Sequence, residues 1–298
     1  MKRFVVVALC LIISACAPAA PTLTATPTQS GMPSGPYLGQ VAPAAEPVAF
    51  GVALLKGGYH SSPTFLPDGS EMYWGGAFAS QTIYFIKQID GVWGNQQALV
   101  LPGGISQMRD PFISPDGMCL YFLTTAALPG ASAGGKENIW VAQREGDAWG
   151  EPQPLPDAIN SLSLHWTVSV AANGNLYFSS GPDGIGDLYL ARFEDGAYAA
   201  PELLPAPLND PDKLETTPNI SPDETYILFS RLNTAEDTPR LYISYATTAG
   251  WSEPALVENV ANCISPVVTP DRAYVFCTAG PATLKWRDTS FIEELRPQ

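Results

Sequence analysis

The residues in this sequence best suited to chemistry are two histidines that occupy the same place in two copies of a repeat. The chain has only these two, His60 and His165. Each lies eight residues before the central Asp or Asn of a short turn sequence that recurs along the chain. Met108, Glu215 and Cys263 occupy the same position before the other three copies, and we call these five positions the histidine row. With their neighbours they form the predicted ligand-binding set: His60, Arg109, Asp110, His165, Trp166 and Glu215.

Binding is the chemistry that this mixture of charged and aromatic side chains favours. A few polar groups converging in a concave site are the usual pattern of ligand recognition, and a glycan or a protein segment would suit them. Without ligand, Arg109 and Asp110 are expected to pair with each other. Duplication of one ancestral repeat that carried a histidine would also place His60 and His165 in register without any function.

Catalysis is less well supported by the sequence. A glycosidase needs two carboxyl groups about 5 to 9.5 Å apart, and Asp110 and Glu215, the only acids in or beside the row, are two repeats apart. A metal site built from the two histidines and a carboxylate has no supporting local spacing, and no nucleophile elbow, Walker loop or dinucleotide fingerprint occurs. The sequence predicts no cofactor and no metal, and leaves a glycan-active hydrolase or lyase as the alternative to a binding module.

The elements that must position these residues are five repeats of about 50 residues. Their turns are centred on Asp68, Asp116, Asn173, Asp223 and Asp271, spaced by 48, 57, 50 and 48 residues. Two apolar aromatic runs follow each turn, and the first four repeats add a third element containing Trp93, Trp149, Tyr198 or Trp251. With the strand before the turn, this makes four strands per repeat, the content of one propeller blade.

The prediction is therefore an all-β, five-bladed β-propeller of four-stranded blades, in which the large rings fill the wedges between blades. The loop entering each innermost strand lies at one end of the central channel, so the histidine row should surround one mouth. A Glu-Pro pair, Glu46-Pro47, begins 14 residues before His60, and a second pair, Glu151-Pro152, begins 14 residues before His165. The N-terminal segment is therefore expected to close the ring beside the last strand.

The N-terminus has the features of an export signal. Lys2 and Arg3 precede an apolar run too short to span a bilayer, which ends in Ile13-Ser14-Ala15-Cys16. That ending resembles the bacterial lipobox, which implies that residues 1–15 are a signal peptide and that Cys16 is acylated and held by membrane lipid. Residues 16–44, rich in Pro and Thr, are predicted to be a disordered tether, and residues 45–298 the propeller.

The repeat itself resembles a known family. Ser114-Pro115-Asp116-Gly117 followed by Leu120-Tyr121-Phe122, an Ile-Trp pair at 139–140, and Trp149 with Pro152 is similar to the TolB-type WD-like β-propeller repeat of exported bacterial proteins. The resemblance covers the chain from about Glu46 and departs from the pattern at Ala172-Asn173 and Arg272. It implies a periplasmic or surface propeller used for binding or assembly, and supplies no catalytic motif.

Charge and cysteine content narrow the partners and the compartment. A net charge of −14 repels phosphate backbones, so no nucleic-acid partner is predicted. Ala17 after the lipobox cysteine favours the outer membrane in a cell with two membranes, and a cell with one membrane would carry the protein on its surface. Cys119, Cys263 and Cys277 remain in the mature body, and the last two lie at similar distances from one turn. They are the predicted disulfide pair.

Overall fold

The computed structural model describes residues 33–51, 54–131, 134–164, 166–181, 186–233, 239–260, 263–280 and 283–298. The predicted signal peptide, the lipidation site Cys16 and the first half of the predicted tether lie outside these ranges. His165 also lies outside them, so its predicted place at the mouth stays a prediction.

The protein is an all-β, five-bladed propeller, as the repeats predict. Each blade is an antiparallel sheet whose first strand is nearest the axis. Blade 1 contains β2 (Thr64–Phe65), β3 (Glu71–Gly75), β4 (Ile83–Ile89), β5 (Val92–Trp93) and β6 (Gln97–Ala98). Blade 2 contains β7 (Met108–Ile113), β8 (Cys119–Thr124), β9 (Asn138–Glu145), β10 (Ala148–Trp149) and β11 (Gln153–Pro154).

The remaining blades follow the same plan, with a separate two-stranded sheet in blade 3 and four strands in blade 5. Blade 3 contains β12 (Ser169–Val170), β13 (Leu176–Ser180), β14 (Asp187–Ala191), β15 (Phe193–Glu194), β16 (Ala197–Tyr198) and β17 (Glu202–Leu203). Blade 4 contains β18 (Lys213–Ile220), β19 (Tyr226–Asn233), β20 (Arg240–Thr247), β21 (Gly250–Trp251) and β22 (Ala255–Leu256). Blade 5 contains β23 (Ile264–Val268), β24 (Tyr274–Thr278), β25 (Leu284–Asp288) and the N-terminal β1 (Val48–Ala49).

The ring closes as the sequence predicts. Strand β1 pairs antiparallel with β25, with Val48 opposite Trp286 and Ala49 opposite Lys285. The fifth blade thus combines the two ends of the propeller, which protects sheet edges that would otherwise be open to pairing with other chains.

A segment ahead of β1, residues 33–40, packs on the propeller as an N-terminal arm. The Gly35 N–H donates to the Gly91 carbonyl at 3.1 Å, and Trp93 Nε1 donates to the Gly35 carbonyl at 2.7 Å. Leu38 is 2% exposed in a cluster with aromatic residues of blades 1 and 5. Residues 33–40, which lie within the predicted tether, thus pack against the propeller, because Leu38 and its aromatic neighbours form a buried cluster.

Neighbouring blades are joined near the axis by one repeated hydrogen bond. The acceptor is a polar side chain four residues before the central Asp or Asn of a blade's turn. The donor is the backbone N–H three residues before the central residue of the turn in the next blade. The bonds run from Ile113 to Thr64 at 3.0 Å, from Ile220 to Ser169 at 3.0 Å and from Val268 to Asn219 at 3.2 Å. The innermost strands are therefore held at a fixed height relative to one another.

Large rings fill the wedges between blades, as expected from their spacing. Trp74, Trp93 and Trp286 are each at most 1% exposed. The α-helices within the described ranges are single turns, α1 (Asp157–Asn160) and α2 (Ser290–Glu294). None of the helices in the described ranges has the length and apolar character needed to cross a bilayer.

The cysteines of the fifth blade are joined. Cys263, just before β23, forms a disulfide with Cys277 in β24, and their Cα atoms are 5.3 Å apart. Cys119 is a free, partly exposed thiol whose pKa is raised, mainly by burial.

Candidate functional site

The strand order shows which loops surround the end of the channel where the histidine row lies. Each innermost strand runs from this end, which we call the mouth, to the turn centred on Asp or Asn. Because the strands are antiparallel, the loop joining the second and third strands of each blade returns to the mouth. Loops of two kinds therefore meet there.

His60 lies at the centre of the mouth cluster, between blades 1 and 2. Its Nδ1 is 2.7 Å from Asp110 Oδ1, and its ring stacks on Trp166 with 5.2 Å between ring centroids and 19° between planes. Phe78 contacts the ring with a centroid distance of 5.7 Å. Burial lowers the pKa of His60, but the Asp110 carboxylate outweighs it, so the pKa lies above its usual value.

Arg109 forms a second charged pair beside the first. Its Nη1 is 3.0 Å from Glu137 Oε1, and its guanidinium carbon is 4.8 Å from the centroid of the Phe78 ring. The expected pairing of Arg109 with Asp110 is wrong: Asp110 bonds His60 instead. Adjacent residues of a strand direct their side chains to opposite faces, which separates Arg109 from Asp110.

The mouth cluster thus consists of His60, Phe78, Arg109, Asp110, Glu137 and Trp166. Phe78 is 61% exposed and Trp166 is partly exposed, whereas the charged groups beneath them are buried. Blades 1, 2 and 3 contribute to one small surface with exposed aromatic rings over two fixed charged pairs. The arrangement can bind a ligand with flat apolar faces and polar edges.

Glu215 has a different environment from the other predicted site residues. It is fully buried in β18, and Arg231 Nε donates to its Oε1 at 2.7 Å. Burial raises the pKa of Glu215 to about 7 against the opposing effect of Arg231. Its basic partner is thus Arg231, whereas that of Asp110 is His60.

Sequence reasoning missed Phe78 and Glu137. Phe78 lies between β3 and β4, and Glu137 directly precedes β9. Both belong to loops between second and third strands, which the predicted blade topology already places at the mouth. The available signal was therefore topological, since neither residue has a counterpart in the histidine row.

The described part of the chain offers a cavity and no metal cluster of the usual type. A cavity of about 160 Å³ lies on the axis at the turn end, lined by residues of all five blades, among them Thr64, Phe112, Val170, Asn219 and Val267. No three or more His, Cys, Asp or Glu side chains within the described ranges are grouped so that they could hold a metal ion.

Comparison with known proteins shows resemblance of architecture. No family model matches the chain, and no curated protein matches it. Among solved structures, TolB from Acinetobacter baumannii has 16% identity and a TM-score of 0.46, over 76% of this chain and 53% of TolB. The chain thus spans about half the length of that TolB chain.

Two other solved structures resemble the chain to a similar degree. The gluconolactonase XC5397 from Xanthomonas campestris has 13% identity and a TM-score of 0.45, over 86% of this chain and 98% of that one. Hydrazine synthase from Kuenenia stuttgartiensis has 13% identity and a TM-score of 0.41, over 76% of this chain and 58% of that one. Similarity at this level concerns the fold and assigns no activity.

Proposed function

We propose that the protein is a lipid-anchored, extracytoplasmic binding module that recognises a glycan at the mouth of its propeller. One observation carries the proposal: Phe78 and Trp166 present exposed ring surface directly above the His60–Asp110 and Arg109–Glu137 pairs. Exposed aromatic faces stack on the apolar faces of sugar rings. The buried pairs hold the two rings in place, because Trp166 stacks on His60 and the Arg109 guanidinium lies against the Phe78 ring.

The buried state of the carboxylates favours binding over hydrolysis. Asp110 and Glu215 are both 0% exposed, and each shares one oxygen with a basic side chain. A glycosidase needs an acid and a base that both reach the scissile bond. The alternative of a hydrolase or lyase that uses carboxylates at the mouth therefore has less support than recognition.

The proposed location depends on the N-terminal sequence. Acylated Cys16 would anchor the chain in membrane lipid, and the residues between Cys16 and the arm would separate the propeller from the bilayer. In a cell with two membranes this corresponds to the outer membrane. Substitution Cys16→Ser should leave an unacylated protein that does not fractionate with membranes, as mass spectrometry and fractionation would show.

Binding can be tested with the propeller body that begins at Pro33. The body would be applied to an array of glycans and peptidoglycan fragments, together with the variants Phe78→Ala and Trp166→Ala. The matched control is Phe193→Ala, which removes a 40% exposed ring from the turn end of blade 3. We expect both mouth variants to lose binding by about tenfold or more, the size of one or two lost stacking contacts, and the control to bind normally.

Other outcomes would reject the proposal in different ways. Turnover of an arrayed oligosaccharide that stops in Asp110→Asn would establish an enzyme. Equal binding by the mouth variants and the control would place the glycan site elsewhere. No glycan binding by folded protein would direct attention to a protein partner at the same surface.

A further inference from the structure

The first four blades each carry one large ring at the same place in the repeat. The register of the strands shows the equivalence, because Trp93 lies opposite Gln88 in blade 1 and Trp251 lies opposite Ala246 in blade 4. The bonds that these rings make can therefore be compared from blade to blade. The four rings are Trp93, Trp149, Tyr198 and Trp251.

Two of the rings link their own blade to a tyrosine of the preceding blade. Trp149 Nε1 donates to the Tyr73 OH at 3.0 Å, and the Tyr198 OH is 3.1 Å from the Tyr121 OH. In blade 1 the N-terminal arm takes the place of the tyrosine, because Trp93 Nε1 donates to an arm carbonyl at 2.7 Å.

The arm shows how an extended segment binds at such a ring. Trp93 Nε1 donates to the Gly35 carbonyl, and the Trp93 backbone N–H donates to the Pro33 carbonyl at 2.9 Å. The two N–H groups of one tryptophan thus bind carbonyls two residues apart. The Gly35 N–H returns a bond to the Gly91 carbonyl at 3.1 Å. The arm therefore lies along the edge of β5 as a short added strand.

Trp251 differs from the other three rings. Its ring is partly exposed, and its indole N–H has no acceptor among the described residues. Its backbone N–H faces away from β20, because the next residue, Ser252, donates to the Tyr245 carbonyl at 2.8 Å and the direction alternates along an antiparallel pair. The two N–H groups that bind the arm at Trp93 can therefore both receive a carbonyl at Trp251.

The edge that carries Trp251 faces a cleft between blades 3 and 4. Tyr177, which corresponds to Tyr73 of blade 1, donates its OH to Glu224 Oε1 at 2.7 Å instead of accepting from the indole. Gly250 precedes Trp251 in β21 and has no side chain, so a second backbone can come close to this edge. The cleft has a volume of about 540 Å³, and its lining includes Tyr177, Leu190, Leu203, Pro205 and Trp251.

We propose that this cleft binds an extended segment of a partner protein that contains proline and glycine, as the arm does where it lies on Trp93. The segment would pair with the edge of β21, its carbonyls would accept from the two N–H groups of Trp251, and its apolar side chains would contact Leu203, which is 54% exposed. Proline-rich segments are already extended before they bind, and they dock in grooves lined by aromatic rings. The cleft lies at the turn end of the blades and does not depend on glycan binding at the mouth.

The probe for this site is a synthetic peptide with the sequence of residues 33–40, blocked at both ends. It is titrated into the propeller body that begins at Pro33, labelled with nitrogen-15, and the indole N–H signals are followed by NMR. The signal that disappears in Trp251→Phe belongs to Trp251, and it should shift on titration. Trp251→Phe keeps an aromatic ring and loses the indole donor, so its affinity should fall about fivefold, the size of one hydrogen bond. The control Tyr198→Phe removes one OH at the equivalent place in blade 3 and should bind like the unchanged protein.

A second peptide tests the mode of binding. Proline in place of Gly35 removes the N–H that donates to Gly91 in the arm, and it cannot adopt the φ of +88° that Gly35 has there. If the cleft binds the segment as Trp93 binds the arm, this peptide should bind at least about tenfold more weakly. Equal affinity for the two peptides would overturn the proposal.

The remaining outcomes are also decisive. A Trp251 signal that does not move, whether or not that of Trp93 does, would overturn the proposal, because the probe would then at most replace the chain's own arm. Equal affinity of Trp251→Phe and Tyr198→Phe would overturn it as well. Loss of glycan binding in Trp251→Phe would assign the cleft to a sugar, and a dimer that Trp251→Phe dissociates would assign it to a second copy of the chain; either result would exclude the proposed occupant.

Discussion

Substitution Glu215→Gln tests how two opposing effects balance at a buried carboxyl group. Arg231 donates to Glu215 Oε1 at 2.7 Å and favours the charged form, whereas complete burial favours the neutral form. The second oxygen, Oε2, has no hydrogen-bond partner in the protein. Burial prevails and raises the pKa of Glu215 from 4.5 to about 7.

The size and sign of the effect on stability follow from linkage. A rise from 4.5 to about 7, at 1.36 kcal/mol per pH unit, corresponds to ~3 kcal/mol. Between these two pH values the unfolded chain has released its proton while the folded chain keeps it. The free energy of unfolding therefore falls as pH rises through this window, and the loss is complete above about pH 7.

The assay is urea unfolding of the propeller body that begins at Pro33 and of its Glu215→Gln variant at several pH values from 4 to 9. The difference in unfolding free energy, unchanged protein minus variant, should decrease by ~3 kcal/mol between acid and pH 8. A difference that does not vary with pH would refute the reasoning, because it would mean that Arg231 keeps Glu215 ionised throughout. A difference that increases with pH would show a lowered pKa.

Three further substitutions test how the blades are held together. Arg144→Met removes two guanidinium bonds at 3.0 and 3.1 Å from Glu71, which is 5% exposed and keeps Lys87 Nζ at 2.8 Å, and should cost about 2 kcal/mol in urea unfolding. Replacing Cys263 and Cys277 with alanine opens a loop of 14 residues and should cost about 3 kcal/mol by the same measurement. Leu38→Ala should cost about 2 to 4 kcal/mol, because Leu38 is 2% exposed in an aromatic cluster. Arg192→Met is the control for Arg144, because it breaks only the exposed pair with Glu202 at 3.6 Å, and it should cost less than about 1 kcal/mol. Equal losses for the two arginine variants would contradict the first prediction. An unchanged urea midpoint without the disulfide would contradict the second, and an unchanged stability of Leu38→Ala the third.

The fold could be predicted from the sequence because its determinants are periodic and local. The five turns give the blade number, and the aromatic runs after them give the strands. Their central residues are Asp68, Asp116, Asn173, Asp223 and Asp271. Even ring closure is visible in the phase of Glu46 relative to His60. Each of these features repeats, so one copy supports the interpretation of the others.

Features that occur once could not be read in this way. The packing of the N-terminal arm could not be predicted, because Tyr37 and Leu38 are isolated apolar residues in a stretch whose composition is otherwise typical of a tether. The Arg109–Glu137 pair depends on the path of a long loop between β8 and β9, which no spacing rule specifies. Phe78 is an exposed aromatic residue whose importance comes from its neighbours at the mouth rather than from its own position in the repeat.

Two rows of the repeat differ in how much their residues vary. The row eight residues before the turn contains His, Met, Glu and Cys, whereas the row two residues further on contains only Ser, Thr and Asp. Duplication alone would preserve or lose both rows to a similar extent. In the uniform row, Thr217 Oγ1 accepts from the Ser265 N–H of the next blade at 3.2 Å and donates to Ser230 Oγ at 2.9 Å. A uniform row therefore suits contacts that recur between neighbouring blades, and the varied row suits an asymmetric ligand that touches each blade differently.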